Sequence, residues 1–238
     1  MRRDRRMAMT TGVQRRVGLM IPSSNTMMEA DFTRGLPDGM TLHTARMYMR
    51  DTTRQGEERM LDEFALPAAR DLGTVSPDVV VFGCTSAGAL RGSDYDARLC
   101  AQISEVAGAP AISTIQSVRH AIRATGARRI GVVTPYVDEL NAKIKSSIED
   151  DGIEVVRIAG LGITENFTIA QVPRDTIVEF TVATLSDVDV DLVFASCTNF
   201  GAMAAIPGIT RALGLPVVTS NQAVLAATVA SAGQEAAV

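Results

Sequence analysis

Short apolar runs alternate with amphipathic stretches along most of this chain, and the alternation predicts the fold. The apolar runs are uninterrupted, which is typical of strands buried on both faces of a parallel sheet. The stretches between them repeat apolar residues with the period of a helix. Alternating strands and helices predict a doubly wound α/β fold. The predicted strands lie at 17–21, 79–82, 130–134, 154–158, 192–195 and 217–219, and the predicted helices at 55–72, 96–106, 136–149, 174–185 and 221–230.

Two prolines modify the predicted helices. Pro173 directly precedes the stretch 174–185 and is well placed to open it. Pro67 lies inside the stretch 55–72, where its missing N–H and its ring should kink or split the helix.

The chain contains an internal repeat with an offset of 113 positions. The sequence VFGCTS around Cys84 returns as FASCTN around Cys197, and Pro22 returns as Pro135. The repeat predicts two pseudo-symmetric doubly wound lobes with parallel sheets and an active site in the cleft between them, because ligands bind beyond the carboxyl ends of such strands. We assign 15–118 with a C-terminal helix 218–238 to the first lobe, 119–217 to the second, and 1–14 to a mobile basic tail.

Composition narrows the class of protein. The 238 residues are 46% hydrophobic and 21% charged with a net charge of −4, which favours neither nucleic acid nor an anionic membrane as a partner. No apolar run approaches the ~18 residues of a membrane span. Three cysteines make no disulfide framework, so we expect reduced thiols and a cytoplasmic location. His43, in a β-like stretch at 42–49, and His120 lack ligand spacing, so no metal site is expected.

Cys84 and Cys197 are the main candidates for chemistry. Each directly follows a predicted strand, at a predicted strand–helix junction where free N–H groups lower a thiol pKa and bind anions. Cys100 lies in the middle of a predicted helix and is expected to be a core residue. Polar residues in the other loops fit either caps and core packing or ligand binding, namely Asn25 within 22–26, Tyr136 and Asn166.

These residues resemble the aspartate/glutamate racemase superfamily, and within it the maleate cis–trans isomerase group. The resemblance spans roughly residues 16–227 and implies two lobes, no cofactor and a homodimer. It also implies that Cys84 as thiolate adds to an alkene carbon of maleate while Cys197 transfers a proton. The implied substrate-binding residues are Asn25, Tyr136, Asn166, Thr85, Ser86, Thr198 and Asn199.

Other activities remain open at this stage. Arylmalonate decarboxylases resemble the same group but carry Gly where this chain has Cys84, which argues against decarboxylation of a malonate-type acid. Glutamate racemases open their first loop with Asp-Ser-Gly rather than Pro-Ser-Ser-Asn, yet a two-thiol racemase of an amino acid or hydantoin fits, and a protein of ectoine breakdown is similar. A non-catalytic small-anion binding protein would not need two thiols. A small dicarboxylate is the favoured ligand.

Overall fold

The computed structural model describes residues 14–233. The tail predicted at 1–14 lies, except for its last residue, outside the described residues. The strands are β1 Arg15–Pro22, β2 Met40–Met47, β3 Val79–Phe82, β4 Ala111–Ser113, β5 Arg129–Thr134, β6 Glu154–Gly160, β7 Leu192–Ala195 and β8 Val217–Thr219. The helices are α1 Met28–Gly35, α2 Arg54–Arg59, α3 Ala65–Gly73, α4 Thr85–Leu90, α5 Ser93–Ala107, α6 Thr114–Ala124, α7 Asp138–Glu149, α8 Asn166–Ile169, α9 Arg174–Leu185, α10 Ala202–Leu213 and α11 Ser220–Gly233, with a π-helical turn, Met60–Phe64, between α2 and α3.

The strands form two four-stranded parallel sheets with the same order, which confirms the α/β fold. The first sheet has the order β2-β1-β3-β4 and the second β6-β5-β7-β8. Strands β3 and β7 are buried at every position, and β1 and β5 at all but their first residues. In the register, Val17 pairs with Val79 in the first sheet and Ile130 pairs with Leu192 in the second. The repeat is therefore a repeat of structure.

Some predicted elements need correction. Strand β6 is an edge strand with Glu154 and Arg157 exposed, so the expected burial on both faces is wrong there. Strand β4, only three residues long, gives too little pattern to be predicted from sequence. Helices α1, α6 and α8 were also not predicted. Helices α4 and α10 were expected after Cys84 and Cys197 but without bounds, since α4 has six residues and α10 contains Pro207.

The chain does interrupt its helix near Pro67. Helix α2 ends at Arg59, the π-helical turn follows, and Pro67 lies in the first turn of α3. A proline at this position cannot donate a hydrogen bond to the carbonyl group of Glu63, so the backbone widens before it. The predicted split is confirmed.

Helix α11 returns from the second sheet to the first. It packs against α6 and α1 and against β1, β3 and β4. Its Val224 and Leu225 belong to an apolar cluster that includes Val79 and Val81 of the first sheet. We therefore propose that α11, Ser220–Gly233, belongs to the first lobe, whereas Val218 and Thr219 lie in β8 of the second sheet, two residues beyond the expected boundary.

Candidate active site

The loops that follow β1, β3 and β7 meet at one cleft. The Asn25 side-chain amide donates a hydrogen bond to Thr198 Oγ1 at 3.0 Å, and the Thr198 hydroxyl donates to the Gly83 carbonyl at 3.1 Å. Ser220, at the start of α11, accepts from the Thr85 hydroxyl at 2.9 Å and from the Cys197 N–H at 3.0 Å. These bonds fix the two cysteine loops against each other.

Cys84 lies between β3 and α4 in extended conformation, with only 4% of its surface exposed. Its sulfur is 3.9 Å from the Ser86 hydroxyl oxygen. Burial raises the pKa of the Cys84 thiol strongly, and the nearby Glu57 carboxylate raises it further, because both oppose a thiolate. The N–H of Ala87 and the hydroxyl of Ser86 act in the opposite direction.

Cys197 has a different backbone. Its φ of +117° is rare for a residue with a side chain, and such conformations concentrate at functional sites. The Asn199 N–H donates to its sulfur at 3.3 Å. Burial raises the pKa of Cys197 to about 11, while hydrogen bonds from the Tyr136 hydroxyl and the Asn199 N–H hold it lower than burial alone would.

The prediction that Cys197 opens a helix is wrong. Helix α10 begins only at Ala202, and the residues between form a turn. Within this turn Asn199 accepts a hydrogen bond from the Thr26 N–H at 2.9 Å and donates to the Asn166 carbonyl at 2.6 Å. The turn thus braces neighbouring loops, and local amides take the place of a helix N-terminus at the sulfur.

Tyr136 lies close enough to both Cys84 and Cys197 for each to affect the pKa of its hydroxyl. It follows β5, and 1% of its surface is exposed. Burial is the main cause of the strongly raised pKa of its hydroxyl, followed by the charges of Cys197 and Cys84 and a hydrogen bond to Cys197. Its hydroxyl therefore remains protonated and can donate to a ligand.

The two predicted asparagines, Asn25 and Asn166, are buried, and part of the hydrogen-bonding capacity of each side chain is used within the protein. Asn25 accepts from the N–H groups of Met27 and Met28 and so caps α1. Asn166 accepts from the Thr52 hydroxyl at 3.0 Å and donates to Ser24 Oγ at 2.9 Å. Within residues 14–233 each amide nitrogen makes one hydrogen bond, which leaves one N–H of each to donate to a ligand.

Glu57 was missed by the sequence reasoning. It lies on α2, is completely buried, and accepts a hydrogen bond from the Ser86 hydroxyl. Burial raises the pKa of Glu57 to about 8, and the Ser86 hydrogen bond partly opposes this. A signal was present, since Glu57 precedes Met60 and Leu61 by three and four residues and so shares their apolar helix face.

Two short segments of the chain, remote in sequence, are joined beside the site. Residues 50–52 of the first lobe and 164–166 of the second are joined by an antiparallel bridge between Asp51 and Glu165. The Thr52 N–H donates to the Thr164 carbonyl at 2.6 Å, and the Asn166 N–H donates to the Arg50 carbonyl at 3.0 Å.

The remaining candidates lie elsewhere. Cys100 is buried on α5, as expected for a core residue, and burial raises its pKa to about 12. His43 contacts Thr41 on edge strand β2. Within residues 14–233, no three His, Cys, Asp or Glu side chains are placed to hold a metal ion. The helices of this same part of the chain are all too short or too polar to cross a membrane.

Comparison with known proteins gives consistent similarities. A profile of the arylmalonate decarboxylase family matches residues 17–238. A maleate isomerase from Geobacillus stearothermophilus is 30% identical over 219 residues, covering 86% of each chain. An arylmalonate decarboxylase from Bordetella bronchiseptica is 28% identical over 208 residues, covering 87% of this chain and 86% of the other. The crystal structure of a variant of the maleate isomerase Iso from Pseudomonas putida S16 with maleate has a TM-score of 0.82 at 27% identity, covering 88% of each chain.

Proposed function

The chain belongs to the arylmalonate decarboxylase family, and from this premise we propose that it is a cofactor-independent cis–trans isomerase that converts maleate to fumarate. The observation that carries the proposal is a pair of buried cysteines, Cys84 and Cys197, that enter one cleft from matched loops and share Tyr136 as a neighbour. Similarity to maleate isomerases over most of the chain supports it.

The proposed reaction begins with the Cys84 thiolate. It adds to one alkene carbon, which forms a C–S bond and leaves a single bond between the two central carbons. Rotation about that bond, followed by elimination of the thiolate, gives the trans isomer. Cys197 donates a proton to the neighbouring carbon after addition and removes it before elimination.

Neutral donors are proposed to hold the substrate. Attack beside one carboxylate develops negative charge next to the other, and oriented donors stabilise that charge. The free N–H groups of Asn25 and Asn166 and the Tyr136 hydroxyl have this capacity. Ser86 is placed at the nucleophile, whereas Thr85, Thr198 and Asn199 are engaged in joining the loops and act on the substrate by fixing their positions.

The difference between the two thiols supports the assignment of roles. Cys84 has the Ser86 hydroxyl and the Glu57 carboxylate on one side, both able to accept a proton. Cys197 is contacted by donors, the Asn199 N–H and the Tyr136 hydroxyl, which suit a group that cycles between thiol and thiolate. We therefore propose Cys84 as nucleophile and Cys197 as acid and base.

Decarboxylation of an arylmalonate is the second candidate, favoured by the 28% identity to the Bordetella bronchiseptica enzyme. Loss of carbon dioxide followed by protonation requires one proton-donating thiol. The presence of Cys84 beside Ser86 and Glu57 favours the isomerase because that reaction requires a second, nucleophilic thiol.

Proton NMR of the purified protein with maleate tests the proposal. We expect fumarate signals with the wild type and with Cys100→Ser, the matched control outside the cleft, and none with Cys84→Ser or Cys197→Ser. Unchanged maleate would overturn the isomerase proposal. Parallel samples with phenylmalonate test decarboxylation, and deuterium uptake at the α-carbon of amino acids or hydantoins in D₂O tests a racemase.

We also propose that the protein is a homodimer, as the family resemblance implies. We propose further that it acts in the cytoplasm, since the proposed chemistry requires reduced thiols. Light scattering after size-exclusion chromatography measures the mass directly, and a monomer at micromolar concentration would contradict the dimer. A fluorescent fusion of the full chain, imaged in the cell, would test the location.

A further inference from the structure

Among residues 14–233, Glu57 is the one buried carboxylate that is hydrogen-bonded to Ser86 beside Cys84, and the proposed reaction has not used it. The Ser86 hydroxyl donates to Glu57 Oε1 and lies 3.9 Å from the Cys84 sulfur. The other carboxylate oxygen of Glu57, Oε2, is buried without a hydrogen-bond partner among residues 14–233. The three side chains form a continuous path from sulfur to hydroxyl to carboxylate.

Among residues 14–233, no cation is placed to compensate the charge of Glu57. Helix α4, which packs against α2, carries no charged residue, and the groups of the second lobe that sense Glu57 or Cys84 are Cys197 and Tyr136. The other charged residues of α2 and of the π-helical turn form ion pairs at the surface. Arg54 pairs with Glu58, Arg59 with Glu63, and Asp62 with Arg91, which follows α4. A buried carboxylate without a cation is costly, so its retention requires a reason.

Ionising Cys84 by loss of its proton to water would create a second buried anion beside the first. Glu57 and Cys84 each disfavour the charge of the other at this distance. An internal transfer avoids this cost in the molecules whose Glu57 is ionised, a fraction that grows as the pH approaches its pKa of about 8, because the cleft then holds one negative charge before and after the step.

We propose that Glu57 receives the proton of the Cys84 thiol through the Ser86 hydroxyl. The S–H bond of Cys84 breaks as its proton passes to Ser86 Oγ, and the O–H bond of Ser86 breaks as that proton passes to Glu57 Oε1. The products are a thiolate, a serine hydroxyl that now donates to the sulfur, and a neutral carboxylic acid. Glu57 acts through Ser86 and is therefore a positioning residue. The expected effect of this transfer on turnover rests on the proposed function. The transfer itself requires only Cys84, Ser86 and Glu57.

The path fits the requirements of acid–base catalysis. A base works best when its pKa lies near the working pH, and burial brings the pKa of Glu57 to about 8. Distances in a site without substrate are commonly longer than in the reacting complex, so a sulfur–oxygen separation of 3.9 Å is compatible with transfer.

The test compares the alkylation rates of Cys84 and Cys197 by iodoacetamide at several pH values from 7 to 9.5, measured by mass spectrometry in the same sample. Opening of the cleft exposes both thiols, so the ratio of the two rates removes the effect of opening. Glu57→Gln keeps the size and the hydrogen bond to Ser86 but cannot take a proton. In the proposed state the thiolate coexists with a neutral Glu57, so its formation loses no net proton once Glu57 is ionised. The wild-type Cys84 rate should therefore level off above pH 8 and the Cys84:Cys197 ratio should fall at least about threefold by pH 9.5, whereas in Glu57→Gln the ratio should stay constant.

Two other outcomes would overturn the proposal. The same pH dependence of the ratio in both proteins would mean that Glu57 only anchors α2 to α4, and a wild-type Cys84 rate that keeps rising above pH 8 would mean that the thiol loses its proton to water. Asp96→Asn is the matched control, since Asp96 is likewise a buried first-lobe carboxylate bonded by a serine, Ser113, but among residues 14–233 it makes no hydrogen bond to Ser86 or to either cleft cysteine. Circular dichroism of each variant checks folding.

Turnover provides a separate readout. If maleate is isomerised, Glu57→Gln should lower kcat at least tenfold with little change in KM, because it affects formation of the nucleophile and not binding. If maleate is not a substrate, the alkylation ratio still tests the proton path, so failure of the proposed function and failure of this inference are distinguishable.

Discussion

The loop after β3 and the loop after β7 carry nearly the same residues but hold their cysteines differently. Cys84 is extended and leads directly into a short helix, α4, whereas Cys197 has a positive φ and leads into a turn. Cys84 adjoins the acceptors Ser86 and Glu57, and Cys197 adjoins the donors Asn199 and Tyr136.

Both halves of the repeat therefore carry a cysteine at the same position, and the neighbouring residues give the two thiols different roles. The position equivalent to Ser86 is Asn199, and the position equivalent to Glu57 is Ala170. A reaction that uses one nucleophile and one proton carrier requires such an asymmetry, because identical environments would give both thiols the same tendency to ionise.

The largest expected effect comes from replacing each cysteine separately. Cys84→Ser and Cys197→Ser should each lower isomerisation by at least about 10³-fold. They should differ in intact mass after incubation with maleate. Cys197→Ser retains the nucleophile and should carry one added substrate, whereas Cys84→Ser should carry none. Adducts on both variants would break the proposed division of roles.

A smaller effect is expected at the residues that precede the cysteines. A Cβ at Gly83 would come within 2.7 Å of the Met20 carbonyl oxygen and 2.8 Å of the Met28 sulfur, so Gly83→Ala should cost about 1–3 kcal/mol of unfolding free energy. The equivalent Ser196 has a buried hydroxyl without a partner among the described residues, so Ser196→Ala should be neutral within about 1 kcal/mol or stabilising. Urea denaturation measures both. Equal losses would show that the two positions are packed alike.

The smallest expected effect is a pH dependence of stability confined to the first lobe. The pKa of Glu57 is raised in the folded protein to about 8, from 4.5. The folded state therefore binds more protons than the unfolded state in this window, and stability falls as pH rises through it. Between pH 6 and pH 7 this contribution is about 1 kcal/mol. Glu57→Gln should remove it, so the stability of the variant relative to wild type should increase with pH. A constant difference between the two proteins would contradict the shift.

The fold could be predicted from sequence because its central strands carry the strongest pattern. Runs such as 79–82 and 192–195 are short, apolar and buried at every position, so their pattern and their structure agree. Strand β4 and helix α4 are short elements whose few residues show no period, and their formation depends on tertiary contacts.

Only the site residues that directly follow the strands, at matched positions of the repeat, could be predicted from the sequence. Cys84, Cys197 and Tyr136 follow strands, so topology alone brings them to one edge of the sheets. Glu57 lies 27 residues before Cys84 on another element, and the local pattern does not reveal that α2 turns it toward Ser86. The positive φ of Cys197 likewise depends on hydrogen bonds between loops, such as the bond from the Thr26 N–H to Asn199, which are remote in sequence.

Burial also protects the two cleft thiols chemically. Oxidation of a cysteine by peroxide requires both access and a thiolate. Cys84 and Cys197 are almost completely buried, and burial raises the pKa of each, which disfavours both thiolates. We therefore expect the folded protein, with residues 50–52 and 164–166 bonded to each other, to resist sulfenic acid formation.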